Sequence, residues 1–300
     1  MEINLFQIKP ELTQLSKKTF SSEKELQGLF EKNLKALLGV TLLASEYRID
    51  KGRIDTLGID ENKSPVVIEY KLTGDGNVIV QGFSYLKWIT EHKGDFEIMV
   101  RDKINKDTAN EIEWNSPRLI CVASEFTTKE QDAAHQINDN IELVRYCKLD
   151  DNFLLLELLN KISKKPSSTT APPPTNDTVS RKRITVSESL QSSTEELKNL
   201  YKEVKKFIMN LGDDINEEVL QYYFAFRRIR NFVCAEISHR SNKVILYLKI
   251  NPDELQLEEG FTRDVRKIGH QGTGDLEITL QSSGDLERAK ELIRKSYEDS

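Results

Sequence analysis

The sequence predicts an α/β domain, a mixed sheet flanked by helices, followed by a smaller α+β domain. Three observations predict it. Up to about residue 160, segments of helical spacing alternate with short apolar runs of strand length. A stretch rich in Pro, Ser and Thr, SKKPSSTTAPPPTNDTVSRKR at 163–183, then interrupts the chain; it carries too little apolar surface to offset its ordering entropy and reads as a linker. Beyond it, a strongly amphipathic helix, several strands and a closing helix form a second set. The expected division is 1–162, a linker at 163–183, and 184–300.

In the first domain, SSEKELQGLFEKNLKALLG places Leu26, Leu29, Phe30, Leu34 and Leu37 or Leu38 on one helical face. Ser21 or Ser22 can cap its start, and Gly39 closes its end. SEYRID, RIDTLGID and PVVIEYK read as strands, the last two joined as a hairpin through ENKS. NVIVQGFSYLKWITEH is a helix in which Val78, Gln81, Tyr85 and Trp88 or Ile89 share a face. FEIMVR and RLICVAS are expected as strands, TKEQDAAHQIN as a helix, and IELVRYCKL and FLLLELL as strands. In the second domain STEELKNLYKEVKKFIMNLG is a helix, FAFRRIRNFVCAEISH and KVILYLKI supply strands, RDVRKIGHQGTGDLEITL is a loop entering a strand, and DLERAKELIRKSYE is the last helix.

Composition excludes some function classes. Over 300 residues the net charge is −6, with 31% charged and 38% hydrophobic residues, which argues against a uniformly basic coat for nucleic acid. A local basic groove is not excluded, because phosphate contacts act within a Debye length of roughly 8 Å. Cys121, Cys147 and Cys234 are odd in number and far apart, and fit neither a disulfide framework nor a zinc site. The opening MEINLFQIKPELTQ lacks a basic region followed by an apolar core, and no stretch approaches membrane-spanning length. A cytoplasmic location is expected.

The chemistry lies in GRIDTLGIDENKSPVVIEYK, residues 52–71. Residues two apart on a strand share a face, so Glu69 and Lys71 project together and Tyr70 points the other way. Asp55, across the hairpin, can face Glu69. Two carboxylates about 4 Å apart repel by roughly 4 kcal/mol at an effective dielectric near 20. Either one takes up a proton or a cation sits between them. A hard ion such as Mg²⁺ accepts one or two carboxylates, with waters and a phosphate oxygen completing its shell. Lys71 beside such a site would hold or help deprotonate a water. An edge strand ending in an exposed Glu-x-Lys salt bridge gives the same spacing without chemistry. Asp55 at hairpin distance, a run apolar on both faces before Glu69, and Gln81 with Tyr85 on the next helix favour the catalytic reading.

Asp55, then Glu69-Tyr70-Lys71, then Gln81 with Tyr85 on a following helix, all after an acidic first helix, resembles the PD-(D/E)XK nuclease superfamily, in its NucS-like and RecB-like branch. The resemblance covers roughly residues 21–124, with Ile54 standing where the family name has proline. It implies a restriction-endonuclease-like mixed sheet, Asp55 and Glu69 as ligands of Mg²⁺ or Mn²⁺, Lys71 as the catalytic lysine, and Gln81, more loosely Tyr85, orienting the lysine or the phosphate. Some members add a glutamate from the first helix; Glu31 and Glu25 are the auxiliary candidates, each equally readable as a solvated helix charge. Arg48 and Arg53 flank the site and can hold phosphates.

In the second domain, FRRIRNF sets Arg227, Arg228 and Arg230 near Phe226 and Phe232, and with RKR at 181–183 reads as a basic surface for nucleic acid or as a charged strand face. GFTRDVRKIGHQGTGDLEI is not a phosphate-binding P-loop, since no Gly-Lys-Ser/Thr follows; its glycines suit a turn, and His270 has no metal-spaced partner. Leu200 to Tyr297 resembles an uncharacterised domain of bacterial and archaeal proteins, sometimes fused to nuclease-like domains. The expected function is a metal-dependent deoxyribonuclease, an endonuclease in preference to an exonuclease, acting in repair, restriction or phage defence, with the second domain selecting substrate or partner. The alternative is a non-catalytic nucleic-acid-binding or protein-interaction module retaining the nuclease fold. DNA is the expected partner, a homodimer is a candidate assembly, and no membrane association is expected.

Overall fold

The computed structural model describes residues 6–7, 12–73, 77–137, 140–159 and 184–300. The linker expected at 163–183, with its RKR, lies outside the described residues. The chain divides into two compact units, Met1–Ile162 and Ser163–Ser300.

The first unit opens with three two-residue strands, β1 (Phe6–Gln7), β2 (Thr13–Gln14) and β3 (Lys17–Lys18). Helix α1 (Glu23–Leu38) starts where the Ser22 side chain accepts from the Glu25 amide, and ends at Gly39 in the left-handed conformation, φ 66°. Its Leu26, Phe30, Leu34 and Leu38 are buried, as the spacing predicts. Strand β5 (Gly52–Asp60) pairs antiparallel with β4 (Val40–Ile49) on one side and with β6 (Pro65–Tyr70) on the other. Helices α2 (Val78–Glu91), α3 (Lys93–Lys103) and α4 (Lys106–Asn110) carry the chain to β7 (Arg118–Ala123), which pairs parallel to β6. Helix α5 (Thr128–Gln136), begun by a capping box of Thr127 and Glu130, leads to β8 (Asn140–Leu149), and β9 (Phe153–Leu158) folds back on it. The result is a seven-stranded mixed sheet, β3-β8-β7-β6-β5-β4, with β9 also on β8. Every residue of β6 and β7 is buried, which is why PVVI and LICVA read as unbroken apolar runs.

FEIMVR is a correction: it lies within α3 and is not a strand. The buried residues are Phe96 and Val100, four apart, while Ile98 between them is 48% exposed. Four apolar residues in five positions obscure a helical period.

The far end of the strands from Glu69 is closed by a cluster of ion-paired side chains. Arg118, at the start of β7, donates from Nε and Nη2 to both oxygens of Glu142 at 2.8 and 2.9 Å, and from Nη1 to Asp60 at 2.8 Å. All three residues are buried. Asp60 also accepts from the amides of Asn62 and Ser64, which sets the β5–β6 turn. Removing one member strands the other charges in a dry site. Arg118→Met is therefore expected to destabilise the protein by about 3–5 kcal/mol, read from urea denaturation; a loss below about 1 kcal/mol, the range of a surface pair, would contradict this account.

The second unit comprises α6 (Val186–Gln191), α7 (Glu195–Met209), β10 (Asn216–Val219), β11 (Phe224–Arg227), β12 (Asn231–Ser238), β13 (Lys243–Leu248), a 3₁₀ turn at Pro252–Glu254, β14 (Thr262–Asp264), β15 (Leu276–Leu280) and α8 (Ser283–Glu298). Its six strands pair antiparallel in the order β10-β11-β12-β13-β15-β14. Leu197, Leu200, Val204 and Ile208 of α7 and Leu286, Ala289 and Ile293 of α8 share a core with Phe226, Val233, Leu246 and Ile278 of the sheet. Cys234 and Tyr247 belong to a separate apolar cluster. Gly272, at φ 81°, comes so close to Cys234 that an added Cβ would sit 2.6 Å from the cysteine Cβ. Gly272 thus serves a close approach that a side chain would block.

The arginines of FRRIRNF do not assemble into one solvent-facing surface. Arg227 is 2% exposed, its Nε 3.5 Å from Glu218. Arg228 donates to Asp214 at 2.6 Å and lies over the Tyr297 ring, and Arg230 reaches the Asp299 carbonyl at 3.5 Å. Among the described residues no helix is long and apolar enough to cross a membrane.

Candidate active site

The site forms where the antiparallel β5–β6 pair meets the end of β6. The strand register pairs Thr56 with Ile68, which sets Asp55 and Glu69 side by side on one face. Each carboxylate is held by the other strand's backbone: the Asp55 amide donates to Glu69 Oε1 at 3.2 Å, and the Tyr70 amide to Asp55 Oδ2 at 3.1 Å. Glu69 is 1% exposed. Burial, then the adjacent Asp55 carboxylate, push the Glu69 carboxyl up to about 8. Burial also raises Asp55, against the opposing pull of the Tyr70 amide and of Lys71. Tyr70 turns to the other face and meets the Phe30 ring edge-on at 5.6 Å.

Lys71 continues the strand, its amide donating to the Val122 carbonyl of β7 at 2.9 Å. Its Nζ lies 3.3 Å from Glu23 Oε2, in the first turn of α1. Lys71 also pulls down the carboxyls of both Asp55 and Glu69 through its charge, so the three are neighbours, with Glu23 paired to Lys71.

Gln81 and Tyr85 form a brace at the start of β5. Gln81 Nε2 donates to Tyr85 Oη at 3.0 Å, and the Arg53 amide donates to the same oxygen at 3.4 Å. Gly52 makes room for this contact: its φ is 146°, and a Cβ there would sit 2.6 Å from Tyr85 Oη. Gly52→Ala is expected to push Tyr85 away and to lower both thermal stability and any metal-dependent activity. Unchanged melting and unchanged turnover in that variant would contradict the brace.

The other expected residues lie further out. Glu31 accepts from Thr56 Oγ1 at 2.6 Å and from Gln27 Nε2 at 3.0 Å; Thr56 alternates with Asp55 and projects from the opposite face. Glu25 is occupied by Ser21, whose amide and hydroxyl both donate to it. Arg48 pairs with Arg53 across β4 and β5, and Arg53 is held by Glu46 at 2.7 Å.

Three residues near the site escape sequence reasoning. Glu23 contacts Lys71 but reads as an ordinary first-turn acid. Gln27 is buried and donates to the Asp55 carbonyl at 2.8 Å; a polar residue on the buried stripe beside Leu26 and Phe30 is its signal. Glu46 raises both Asp55 and Glu69 and has φ 55° within β4, a backbone state that no sequence pattern announces.

Among the described residues no group of three or more His, Cys, Asp and Glu converges as a metal cage. Two carboxylates do converge, and that donor set fits a hard divalent ion. Both acids are raised by burial, so their ionised forms lack enough compensating charge, and an oxygen-seeking cation would supply it.

Residues 186–300 match the family described as Domain of unknown function (DUF5655). Over 297 residues, 97% of this chain and 98% of its own, a protein of Haemophilus influenzae (strain Rd) described as uncharacterized is 32% identical. The chain belongs to that protein's family. Solved structures also resemble it. EndoMS complexed with double-stranded DNA is 20% identical over 47% of this chain and 59% of its own, with a TM-score of 0.29. A repair endonuclease from Pyrococcus abyssi is 15% identical over 47% of this chain and 65% of its own, also at 0.29. Pyrococcus furiosus SfsA with Ca²⁺ is 15% identical over 50% and 77%, at 0.26. The match thus spans less than two thirds of the length of the first two, and TM-scores of this size carry no argument about activity.

Proposed function

We propose that the first unit is a divalent-metal-dependent nuclease that hydrolyses phosphodiester bonds, in DNA, by endonucleolytic cutting. The observation that carries the reading is the cross-bonded pair Asp55 and Glu69, with Lys71 two residues beyond Glu69, just past the end of β6. Asp55 and Glu69 would hold Mg²⁺ or Mn²⁺. Such an ion, when bound, lowers the pKa of water and neutralises charge on the phosphate.

The chain's own groups do the rest. Lys71 brings an ammonium with three donors, which can leave Glu23 for a phosphate oxygen as negative charge grows there. Gln27 fixes the Asp55 carbonyl, and Gln81 through Tyr85 fixes the Arg53 amide, so β5 presents Asp55 in one place. Arg53, 56% exposed on its side chain, is available to a phosphate in exchange for Glu46. The second unit, in this reading, selects the substrate or a partner, and the protein works in the cytoplasm.

Purified protein incubated with Mg²⁺ or Mn²⁺ and a panel of duplex, single-stranded and branched DNA is expected to cut at least one form, and chelation by EDTA to stop it. DNA retarded on a gel but uncut with either ion would instead identify a binding module. Failure to retard DNA even at low salt, where phosphate attraction is strongest, would identify a protein-interaction scaffold.

A further inference from the structure

We propose that the groove between α1 and the β8–β9 hairpin binds a single strand of nucleic acid. The ligand class rests on the nuclease reading, and the groove adds a second surface to the carboxylate site. The groove encloses about 550 Å³. Helix α1 lines it with Lys24, Gly28 and Lys32, four residues apart and so on one face. Both lysines are exposed, and neither has an ion-pair partner among the described residues. Across the groove Phe153 is 49% exposed. Lys148 also lines it, with Nζ 5.0 Å from the centroid of the Phe20 ring. Glu25 and Asp151, at 3.9 and 3.7 Å, already neutralise Lys148, so attraction for phosphate comes from Lys24 and Lys32.

Gly28 is the second observation. A glycine inside a helix costs about 1 kcal/mol relative to alanine. Gly28 is not required by packing, since a Cβ built on it meets nothing within 4 Å. Nor does it sit near a helix end that needs a left-handed residue. A bare backbone facing open space between these two lysines suits a ligand chain lying close along the helix.

The groove adjoins the carboxylate site. The Phe20 ring meets Tyr146 edge-on at 5.4 Å, and Tyr146 Oη donates to the Leu72 carbonyl at 3.2 Å, next to Lys71. On the helix, Lys24 follows Glu23, which holds Lys71. An exposed aromatic ring offers a stacking face to an unpaired base, and flanking lysines take the phosphates. A duplex, whose bases are already stacked, gains nothing from Phe153.

The test measures binding by the full chain in EDTA, through fluorescence anisotropy of a fluorescein-labelled oligothymidylate and of a labelled duplex. Phe153→Ala is expected to weaken oligothymidylate binding about tenfold. Lys24→Glu with Lys32→Glu should weaken it further and reduce the salt dependence by roughly one to two phosphate contacts. Gly28→Leu should weaken it by about tenfold without lowering the melting temperature, because leucine favours helix over glycine. Oligothymidylate binding unchanged in all three, or duplex binding weakened as much as single-strand binding, would overturn the proposal. Failure of the nuclease reading looks different: wild type would bind the strand through the groove yet cut nothing with Mg²⁺ or Mn²⁺. Conversely, groove variants that bind and cut like wild type defeat the groove alone.

Discussion

Lys71→Ala is expected to lower DNA cleavage by about 10²–10⁴-fold, the range for removing a positioned proton-transfer group or a donor to developing negative charge. The effect should fall on turnover more than on DNA affinity, since Lys71 in the free protein is engaged with Glu23 and, in the proposed reading, would meet the substrate as a donor at the reacting phosphate. Asp55→Asn should cost on the order of 10³-fold or more by removing a charge that, in the proposed reading, would hold the ion, and raising Mn²⁺ should recover part of it. Lys71→Arg keeps a positive charge but spreads it over a planar fork that does not lose its proton in proteins, so it should rescue little. Single-turnover cleavage of whichever DNA form wild type cuts reads all three. Wild-type rates in Lys71→Ala, with Asp55→Asn equally active, would mean that the cutting comes from elsewhere.

The second large effect is on stability, and its sign follows from Glu69. In the metal-free fold its carboxyl titrates at about 8, against an ordinary value of 4.5. Below the lower value both folded and unfolded chains are protonated there, and Glu69 carries no penalty. Between the two values the unfolded chain releases a proton that the fold keeps, so stability falls as pH rises; beyond the upper value the penalty is constant. Every pH unit of that interval costs about 1.4 kcal/mol, so several kcal/mol should separate about pH 5 from about pH 9. Asp55, also raised, acts in the same direction. Glu69→Gln removes the titration while keeping the shape, and is expected to be more stable than wild type at about pH 9 in EDTA, with a flatter pH profile. Divalent ions should close that gap by stabilising wild type at high pH and not the variant. Urea denaturation across pH measures this. A wild type whose stability rises steadily with pH, in step with Glu69→Gln, would contradict the buried, charge-deficient pair.

Much of this arrangement is legible in the residues. PVVIEYK announces a central strand because its apolar run covers both faces, and the two-residue period then puts Glu69 and Lys71 together. The α1 stripe, its serine cap and its terminal glycine are equally plain. The losses have physical causes. Phe96, Ile98, Met99 and Val100 crowd so closely that strand and helix periods both fit, and only burial of Phe96 and Val100 decides for α3. The short strands β10 and β14 owe their existence to neighbours in the sheet more than to their own sequences, NEEV and TRD. Arg227 reads as surface because arginine is seldom buried, yet the sheet turns it inward to Glu218. Glu23, Gln27 and Glu46 approach the site through tertiary geometry, from α1 and from a residue of β4 at positive φ, and spacing along one strand does not report that.

The most direct test is a Mn²⁺ titration followed by electron paramagnetic resonance, which counts free against bound ion in wild type, Asp55→Asn and Glu69→Gln. The expected result is saturable binding by wild type that each substitution weakens severely, with the fold intact by circular dichroism. Equal Mn²⁺ binding by all three proteins, or none by folded wild type, would contradict the claim that these two acids hold a catalytic ion.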